Sequence, residues 1–165
     1  MILNSLMWCL IFIIHSSPNK TLMERSTPKN LAEMVRPSYL KAGDTIAIVA
    51  TASILKKDAE VIQKTKLLLN DWGLEVVFGT HLETKSNHFA GTDAQRTSDL
   101  QWALDHPSIK AIWCARGGYG TLRIIDDLDF ESFKKYPKWI IGYSDVTILH
   151  NTLNNLGYES LHAMM

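Results

Sequence analysis

The chain has 165 residues, enough for about one domain with a buried core, and its 17 lysines and arginines balance its 17 aspartates and glutamates. A net charge of zero gives no electrostatic reason to expect nucleic acid or an anionic membrane surface as a partner. Its two cysteines form neither a disulfide framework nor a spaced metal-ligand set, so we predict no metal. Cys114 lies inside an apolar run and is interpreted as a buried free thiol.

The first 35 residues differ in character from the rest of the chain. A continuous apolar run over residues 6–14 is shorter than the roughly 20 residues needed to span a bilayer. No basic residues precede it, as they would in a secretory signal. We predict an apolar N-terminus and polar linker over residues 1–35, poorly ordered and without a stable membrane span. Met23 and Met34 are alternative starts, so the apolar run is either an artefact of start-site choice or an anchor.

From Pro37 onward, short β-branched apolar runs alternate with stretches of helical periodicity. Asp58 is available as the cap of the first helix, Thr92 or Asp93 opens the second, and Gly73 stands where the first one ends. The predicted order is strand 44–50, helix 56–73, strand 74–79, helix 91–107, strand 109–115, strand 138–143, helix 144–157 and strand 158–163.

Strands that alternate with helices indicate βαβ units, a parallel sheet and right-handed crossovers. We therefore predict an α/β fold, namely a three-layer, doubly wound, mainly parallel sheet of the flavodoxin-like kind. Ligands of such sheets bind outside the carboxyl ends of the strands. The loops at residues 51–53, 116–120 and 142–145 are expected to converge there on one site.

Residues 116–120, with the sequence RGGYG, place three glycines between a strand and a predicted helix. Glycine permits positive φ and lets backbone N–H groups approach a ligand closely. The loop departs from the G-x-G-x-x-G fingerprint and lacks the lysine of a P-loop, so nucleotide binding is disfavoured and no cofactor is predicted. An oxyanion hole and a plain tight turn both stay open.

Ser144 lies in the stretch KWIIGYSDVT, directly after an apolar strand and at the start of a helix. In a nucleophile elbow, such a turn exposes the serine hydroxyl at the sheet edge, with Gly142 giving room and the N–H of Asp145 facing an oxyanion. Val146 stands where an α/β-hydrolase has its second glycine, which argues for a different fold. The alternative is that Ser144 or Asp145 is an ordinary N-cap, and the motif by itself favours the cap.

A serine nucleophile needs a base, normally a histidine oriented by a carboxylate. His150 lies nearly two helical turns beyond Ser144 and is expected to point elsewhere, whereas His162, near the end of the last strand, could approach the same edge. His81 and His88 lie in a loop and are interpreted as surface or turn residues. These histidines do not close a triad.

Three segments, residues 36–53, 88–130 and 138–153, resemble the N-terminal half of LD-carboxypeptidases. These are the serine peptidases of the muramoyl-tetrapeptide carboxypeptidase and microcin C immunity group. The resemblance runs from about Arg36 to the last residue. It implies an N-terminal domain over residues 36–165 with a class I glutamine amidotransferase-like fold, and a C-terminal catalytic partner domain that is absent here.

The resemblance also implies roles for residues of both loops. Ser144 would be the nucleophile, and the backbone of Asp145 with Gly117 or Gly118 would form the oxyanion hole. The family uses no metal or cofactor. Its triad glutamate and histidine come from the C-terminal domain, beyond Met165, and nothing in this sequence matches them.

The activity implied is hydrolysis of the L,D-peptide bond before the terminal D-alanine of murein tetrapeptides, in cytoplasmic peptidoglycan recycling. A relative in the same group hydrolyses a peptide–nucleotide antibiotic, so the expected partner is a murein tetrapeptide or a related peptide amide. A homodimer is expected for the full-length form. Without the two missing triad residues we expect this truncated chain to be inactive. The alternatives are a non-catalytic module that binds a peptide carboxylate and a degenerate fragment.

Overall fold

The structure, a computed structural model, describes residues 34–55 and 59–164. The predictions for residues 1–33 and for Asp58 as a helix cap lie outside the described residues. The described part alternates strands and helices as predicted. Its elements in chain order are β1 (Thr45–Val49), α1 (Ala59–Asp71), β2 (Glu75–Phe78), α2 (Asp93–Asp105), β3 (Ile109–Cys114), α3 (Glu131–Lys135), β4 (Trp139–Gly142), α4 (Thr147–Leu156) and β5 (Leu161–His162).

The five strands form one sheet in the order β2-β1-β3-β4-β5, and every neighbouring pair is parallel. This is the flavodoxin-like order, so the predicted fold class is confirmed. The strand order reverses between β1 and β3, which opens a crevice between the loops that follow these two strands. Ligands of doubly wound sheets bind at such a switch point.

Buried side chains form two clusters, one on each face of the sheet. Ala47 and Val49 belong to the cluster that includes side chains of α2 and α4, whereas Ile46 and Ile48 belong to the cluster that includes α1. Alternate residues of a strand point to opposite faces, so the two clusters make the fold three-layered. Cys114 is fully buried, and burial raises the pKa of its thiol to about 12, which confirms the predicted buried free thiol.

Helix ends follow the predicted signals. Thr92 caps α2 through a capping box, because its hydroxyl accepts from the N–H of Gln95 while the Gln95 side chain accepts from the N–H of Thr92. Gly73, after α1, and Gly157, after α4, have φ of +80° and +89°, the left-handed conformation typical of a C-terminal glycine.

The last strand is shorter than predicted. The N–H of Tyr158 donates to the carbonyl of Leu153 at the end of α4, and Tyr158 also pairs with Val35 in a parallel bridge. These contacts hold the chain away from β4, so only Leu161 and His162 pair with it. The salt bridge between Arg36 and Glu159, 2.6 Å long, lies beside the same bridge.

The segment after the glycine loop also differs from the prediction. Two short 3-10 turns, Thr121–Arg123 and Ile125–Asp127, stand where a helix was expected to begin. The N–H of Thr121 donates to the carboxylate of Asp145, so it does not point along the axis of a helix. The glycine loop therefore does not face an α-helix N-terminus. The five residues of α3 were not predicted because one helical turn shows no periodicity.

Candidate active site

Ser144 follows β4 with a left-handed backbone, its φ being +61°. The residue before it, Tyr143, is extended, with φ of −148° and ψ of −176°. A side-chain-bearing residue pays on the order of 1 kcal/mol for the left-handed conformation, so surrounding contacts must hold it in place. The result is a sharp strand-to-helix turn with an exposed Ser144, the backbone of a nucleophile elbow.

Gly142 makes this turn sterically accessible. A Cβ atom at position 142 would lie 2.9 Å from Cγ1 of Val146 and 3.2 Å from Cβ of Cys114. A side chain at this position would require the Val146 side chain or the 3-10 turn Ser144–Val146 to shift. The predicted need for room at Gly142 is therefore confirmed.

The N-cap alternative for Ser144 and Asp145 is wrong, because no side chain caps the 3-10 turn or α4. Within residues 34–55 and 59–164, the Ser144 hydroxyl has no hydrogen-bond partner. The Asp145 carboxylate accepts from the N–H of Thr121 at 2.8 Å, which turns it away from its own helix.

The glycine loop lies directly against Ser144. A Cβ atom at Gly117 would lie 2.9 Å from Cβ and 3.3 Å from Oγ of Ser144, so only glycine fits there without displacing the serine. Gly118 has φ of +112° and packs on Ser53, whose N–H donates to the carbonyl of Gly117. The three loops predicted to converge at the sheet edge do converge.

Backbone N–H groups of the serine turn and of the adjacent glycine loop are candidate donors to an oxyanion. Over the described ranges, the N–H groups of Gly117, Gly118 and Asp145 donate to no protein acceptor. Such N–H groups beside a serine hydroxyl can stabilise the negative oxygen that forms when the hydroxyl attacks a carbonyl. Their assignment as an oxyanion hole stays a prediction.

The family model of the LD-carboxypeptidase N-terminal domain matches residues 46–163. The chain belongs to the LD-carboxypeptidase family. It is 37% identical over 131 residues to a probable murein peptide carboxypeptidase of Bacillus subtilis, covering 79% of this chain and 40% of that protein. It is 35% identical over 118 residues to the murein tetrapeptide carboxypeptidase of Pseudomonas aeruginosa, covering 71% of this chain and 38% of that protein.

Among solved structures, an MccF-like protein from Bacillus anthracis superposes with a TM-score of 0.70 and 29% identity, over 76% of this chain and 40% of that protein. This LD-carboxypeptidase domain therefore spans less than half the length of the curated relatives it matches. Within the described part, none of the helices is long and apolar enough to cross a membrane. That same part contains no cluster of three or more histidine, cysteine, aspartate or glutamate side chains that could hold a metal ion.

A buried arginine that was not singled out from the sequence connects two loops of the candidate site. Arg96, on α2, is 1% exposed, and its Nη1 donates to the carbonyls of Thr51 at 2.6 Å and Gly120 at 2.9 Å. Its Nη2 donates to the carboxylate of Asp93. The hydroxyl of Thr121 donates to that of Thr51 at 3.0 Å, so this bond and Arg96 join the loops after β1 and β3 in addition to the bond from Ser53 to Gly117.

The charges around Arg96 compensate its burial. Burial lowers the pKa of the Arg96 guanidinium, and the Asp93 carboxylate opposes that shift. Hydrogen bonding from Arg123 lowers the pKa of the Asp93 carboxyl, so Asp93 stays charged. The i,i+3 spacing of Asp93 and Arg96 was visible in the sequence, but nothing there connected Arg96 to Gly120.

None of the histidines in the described part of the chain forms a hydrogen bond with Ser144. His150 is buried, and its Nε2 lies 2.9 Å from the carbonyl of Gly142, which requires a proton on Nε2. Its Nδ1 then accepts from the hydroxyl of Ser160 at 2.8 Å. His150 points away from Ser144, as predicted. His162 pairs with Gly142 in β5 and its ring lies 5.6 Å from that of His150.

His81 lies in a turn, as predicted, and its ring is also paired with a buried carboxylate. Its Nδ1 lies 2.8 Å from the carboxylate of Asp99, which also accepts from the N–H of His81 at 2.7 Å. Asp99 is buried, so this pair fixes the loop after β2 on α2. His88 is exposed and stacks on Phe89, with ring centroids 3.9 Å apart, as a turn residue does.

Proposed function

We propose that this domain supplies the nucleophile and the oxyanion hole of a serine LD-carboxypeptidase that removes the terminal D-alanine from murein tetrapeptides. The proposal rests on the left-handed Ser144 at the end of β4, held against Gly117. The names of the Bacillus subtilis and Pseudomonas aeruginosa relatives support the substrate class. The proposal includes a cytoplasmic location, which the buried thiol of Cys114 fits, and a homodimer for the full-length form.

In the proposed reaction, Ser144 Oγ attacks the carbonyl carbon of the L-centre that precedes D-alanine. The carbonyl oxygen becomes negative, and the N–H groups of Asp145 and of Gly117 or Gly118 stabilise it. Collapse of this intermediate breaks the C–N bond, and D-alanine leaves with a proton on its nitrogen. Water then hydrolyses the acyl-enzyme and restores the Ser144 hydroxyl.

The serine must lose its proton as it attacks. No histidine of the described residues contacts the Ser144 hydroxyl. We therefore propose that a histidine from outside residues 34–164, oriented by a glutamate, accepts the proton and later delivers it to D-alanine.

D-alanine release tests this proposal. The chain would be joined at its C-terminus to the C-terminal region of the Pseudomonas aeruginosa relative and incubated with murein tetrapeptide. We expect Ser144→Ala to lower D-alanine release by on the order of 10³-fold or more. The control Ser98→Ala, at an exposed position of α2, should release D-alanine at the unmodified rate. Equal release by Ser144→Ala and the unmodified protein would contradict the assignment.

A second candidate is a module that binds a peptide without cleaving it. The observation in its favour is the Ser144 hydroxyl itself, which no base approaches within the described residues. Calorimetry of the unmodified chain with murein tetrapeptide separates the two functions. Saturable binding with no D-alanine released, even after the C-terminal region is added, would favour the module.

A further inference from the structure

The serine turn, residues 143–146 between β4 and α4, is not held in place by a helix cap. Ser144 has a left-handed backbone, with φ of +61°, which a residue with a side chain keeps only where its surroundings require it. Among the described residues no side chain caps α4, and the Asp145 carboxylate accepts instead from the N–H of Thr121. The direction in which the chain leaves β4 must therefore be fixed by contacts from outside the turn.

His150, on α4, makes such a contact with the strand that precedes the turn. Its Nε2 lies 2.9 Å from the carbonyl oxygen of Gly142, the last residue of β4, so the ring reaches back across the serine turn. The N–H of Ala163 donates to the same oxygen at 3.0 Å. Two donors on one carbonyl oxygen fix the plane of the peptide that joins Gly142 to Tyr143, which is the peptide from which the turn starts.

The imidazole of His150 is itself held in one orientation. It is buried, and its Nδ1 lies 2.8 Å from the hydroxyl of Ser160, just before β5. A carbonyl oxygen can only accept, so Nε2 carries the proton that bonds to Gly142 and Nδ1 accepts from Ser160. One ring therefore joins β4, α4 and the residues that enter β5.

We propose that His150 is a positioning residue for the nucleophile, because its bond to the Gly142 carbonyl keeps the serine turn in the conformation that holds Ser144 against Gly117. This inference rests on the proposed function, in which Ser144 is the attacking group. Small displacements of a reacting group slow a reaction strongly, and the strained backbone of Ser144 would relax if the turn were released. The ring of His150 bonds to Gly142 and Ser160, so it acts on the serine through the backbone.

NMR of the His150 imidazole in the unmodified 165-residue chain tests the geometry first. At pH 8 the ring is neutral, because burial lowers its pKa below the ordinary value of 6.5. We expect the 15N shifts of a ring protonated at Nε2 alone, with an Nε2 proton that exchanges slowly with water. A ring protonated at Nδ1 alone would overturn the inference, because it could not donate to Gly142.

Substitutions in the same chain connect the ring to the serine. The backbone of Ser144 is followed by the nuclear Overhauser effect between its own amide and α protons, which is strongest where φ is positive. His150→Leu removes the donor to Gly142, so we expect this signal to weaken severalfold. The N–H of Val146, which donates to the Tyr143 carbonyl at 3.3 Å, should exchange about tenfold faster with water, the factor for one lost buried hydrogen bond. His150→Gln keeps an N–H donor of similar reach and should restore both signals in part.

Leu153→Ala is the matched control, because it truncates a fully buried side chain one turn farther along α4. It should weaken the fold and leave both signals of the serine turn unchanged, once exchange is expressed relative to the amide of Ile112 in β3. Equal responses of His150→Leu and Leu153→Ala would overturn the inference, since a purely structural histidine gives that result. If His150→Leu does not fold, His150→Asn, whose amide is too short to reach Gly142, replaces it with the same expectation.

An unchanged serine turn in a folded His150 variant without the donor would also overturn the inference. None of these measurements involves cleavage, so the inference and the proposed function fail separately. An unchanged turn combined with Ser144-dependent D-alanine release would remove the positioning role of His150 and leave the proposed function standing. Failure of the proposed function would instead appear as equal D-alanine release by Ser144→Ala and the unmodified protein.

Discussion

The carboxylate of Asp145 accepts a hydrogen bond of 2.8 Å from the backbone N–H of Thr121. Asp145 directly follows Ser144, and Thr121 directly follows the glycine loop, so this contact joins the serine turn to the loop that packs against it. Thr121 is buried, and its N–H would lack a hydrogen-bond partner without this charged acceptor. The side chain of Asp145 therefore has a structural role separate from the oxyanion role proposed for its N–H.

Asp145→Ala should destabilise the domain by about 1–3 kcal/mol, because it leaves the buried N–H of Thr121 without an acceptor. Asp145→Asn keeps a side-chain oxygen at the same position, so it should lower the free energy of unfolding by less. Urea denaturation followed by circular dichroism measures both changes in the free energy of unfolding. A free energy of unfolding for Asp145→Ala equal to that of the unmodified chain would contradict the structural role of this hydrogen bond.

Arg96→Met should also destabilise the domain by about 1–3 kcal/mol, since it leaves the carbonyl of Thr51 without its donor and removes one of the donors to Gly120 and to Asp93. The matched control is Arg123→Met. Arg123 is exposed and contacts the same carboxylate, so its removal should leave the urea midpoint close to that of the unmodified chain. Similar midpoints for the two variants would contradict a bracing role for Arg96.

The fold was predictable from the sequence because its signals are local. Apolar β-branched runs and glycine at helix ends mark the strands and the three longer helices within a few residues, and the alternation of elements determines a parallel sheet. The convergence of three loops followed from that topology alone. The 3-10 turns after the glycine loop were not predictable, because the bond from Thr121 to Asp145 joins residues 24 positions apart.

The state of Ser144 also depends on contacts that the sequence does not display. Its local sequence pattern favoured a helix cap. The left-handed backbone of Ser144 is accompanied by the packing of Gly142 on Val146 and of Gly117 on Ser144, and the local pattern does not reveal these contacts. Arg96 was missed for the same reason, since its acceptor at Thr51 lies 45 positions away.

Gly117→Ala should disable the site while leaving the fold intact. The added methyl carbon would lie 2.9 Å from Cβ of Ser144, so the serine or the loop must move. We expect D-alanine release by the joined protein to fall by at least about tenfold, as small misplacements of reacting groups do. Gly43→Ala is the control, because φ is +89° there, no atom lies within 4 Å, and only backbone strain is added. Unchanged release by Gly117→Ala would contradict the proposed loop geometry.

Lowering the pH should reduce the free energy of unfolding of the domain because His150 is buried in its neutral form. Burial lowers the pKa of this imidazole below its ordinary value of 6.5, with the ring of His162 adding to the shift and the bond to Gly142 opposing it. Below pH 6.5 the unfolded chain binds a proton that the folded chain does not yet bind, so stability falls as pH decreases through that window. Above it, the contribution of His150 is fully present.

The free energy of unfolding measured by urea between pH 5 and pH 8 checks this expectation. His150→Asn should show a shallower loss below pH 6.5 than the unmodified chain. His162→Gln, at an exposed position, should retain most of the loss. The same pH dependence in His150→Asn and in the unmodified chain would place the titrating group elsewhere.

The most direct test of the central claim is the site of covalent modification by a fluorophosphonate. The chain joined to the C-terminal region of the Pseudomonas aeruginosa relative would be labelled, digested and mapped by mass spectrometry. We expect one adduct, on Ser144, that is absent from Ser144→Ala and blocked by excess murein tetrapeptide. An adduct that persists in Ser144→Ala would contradict the assignment of Ser144 as the nucleophile, and so would undiminished D-alanine release by a protein whose Ser144 is fully modified.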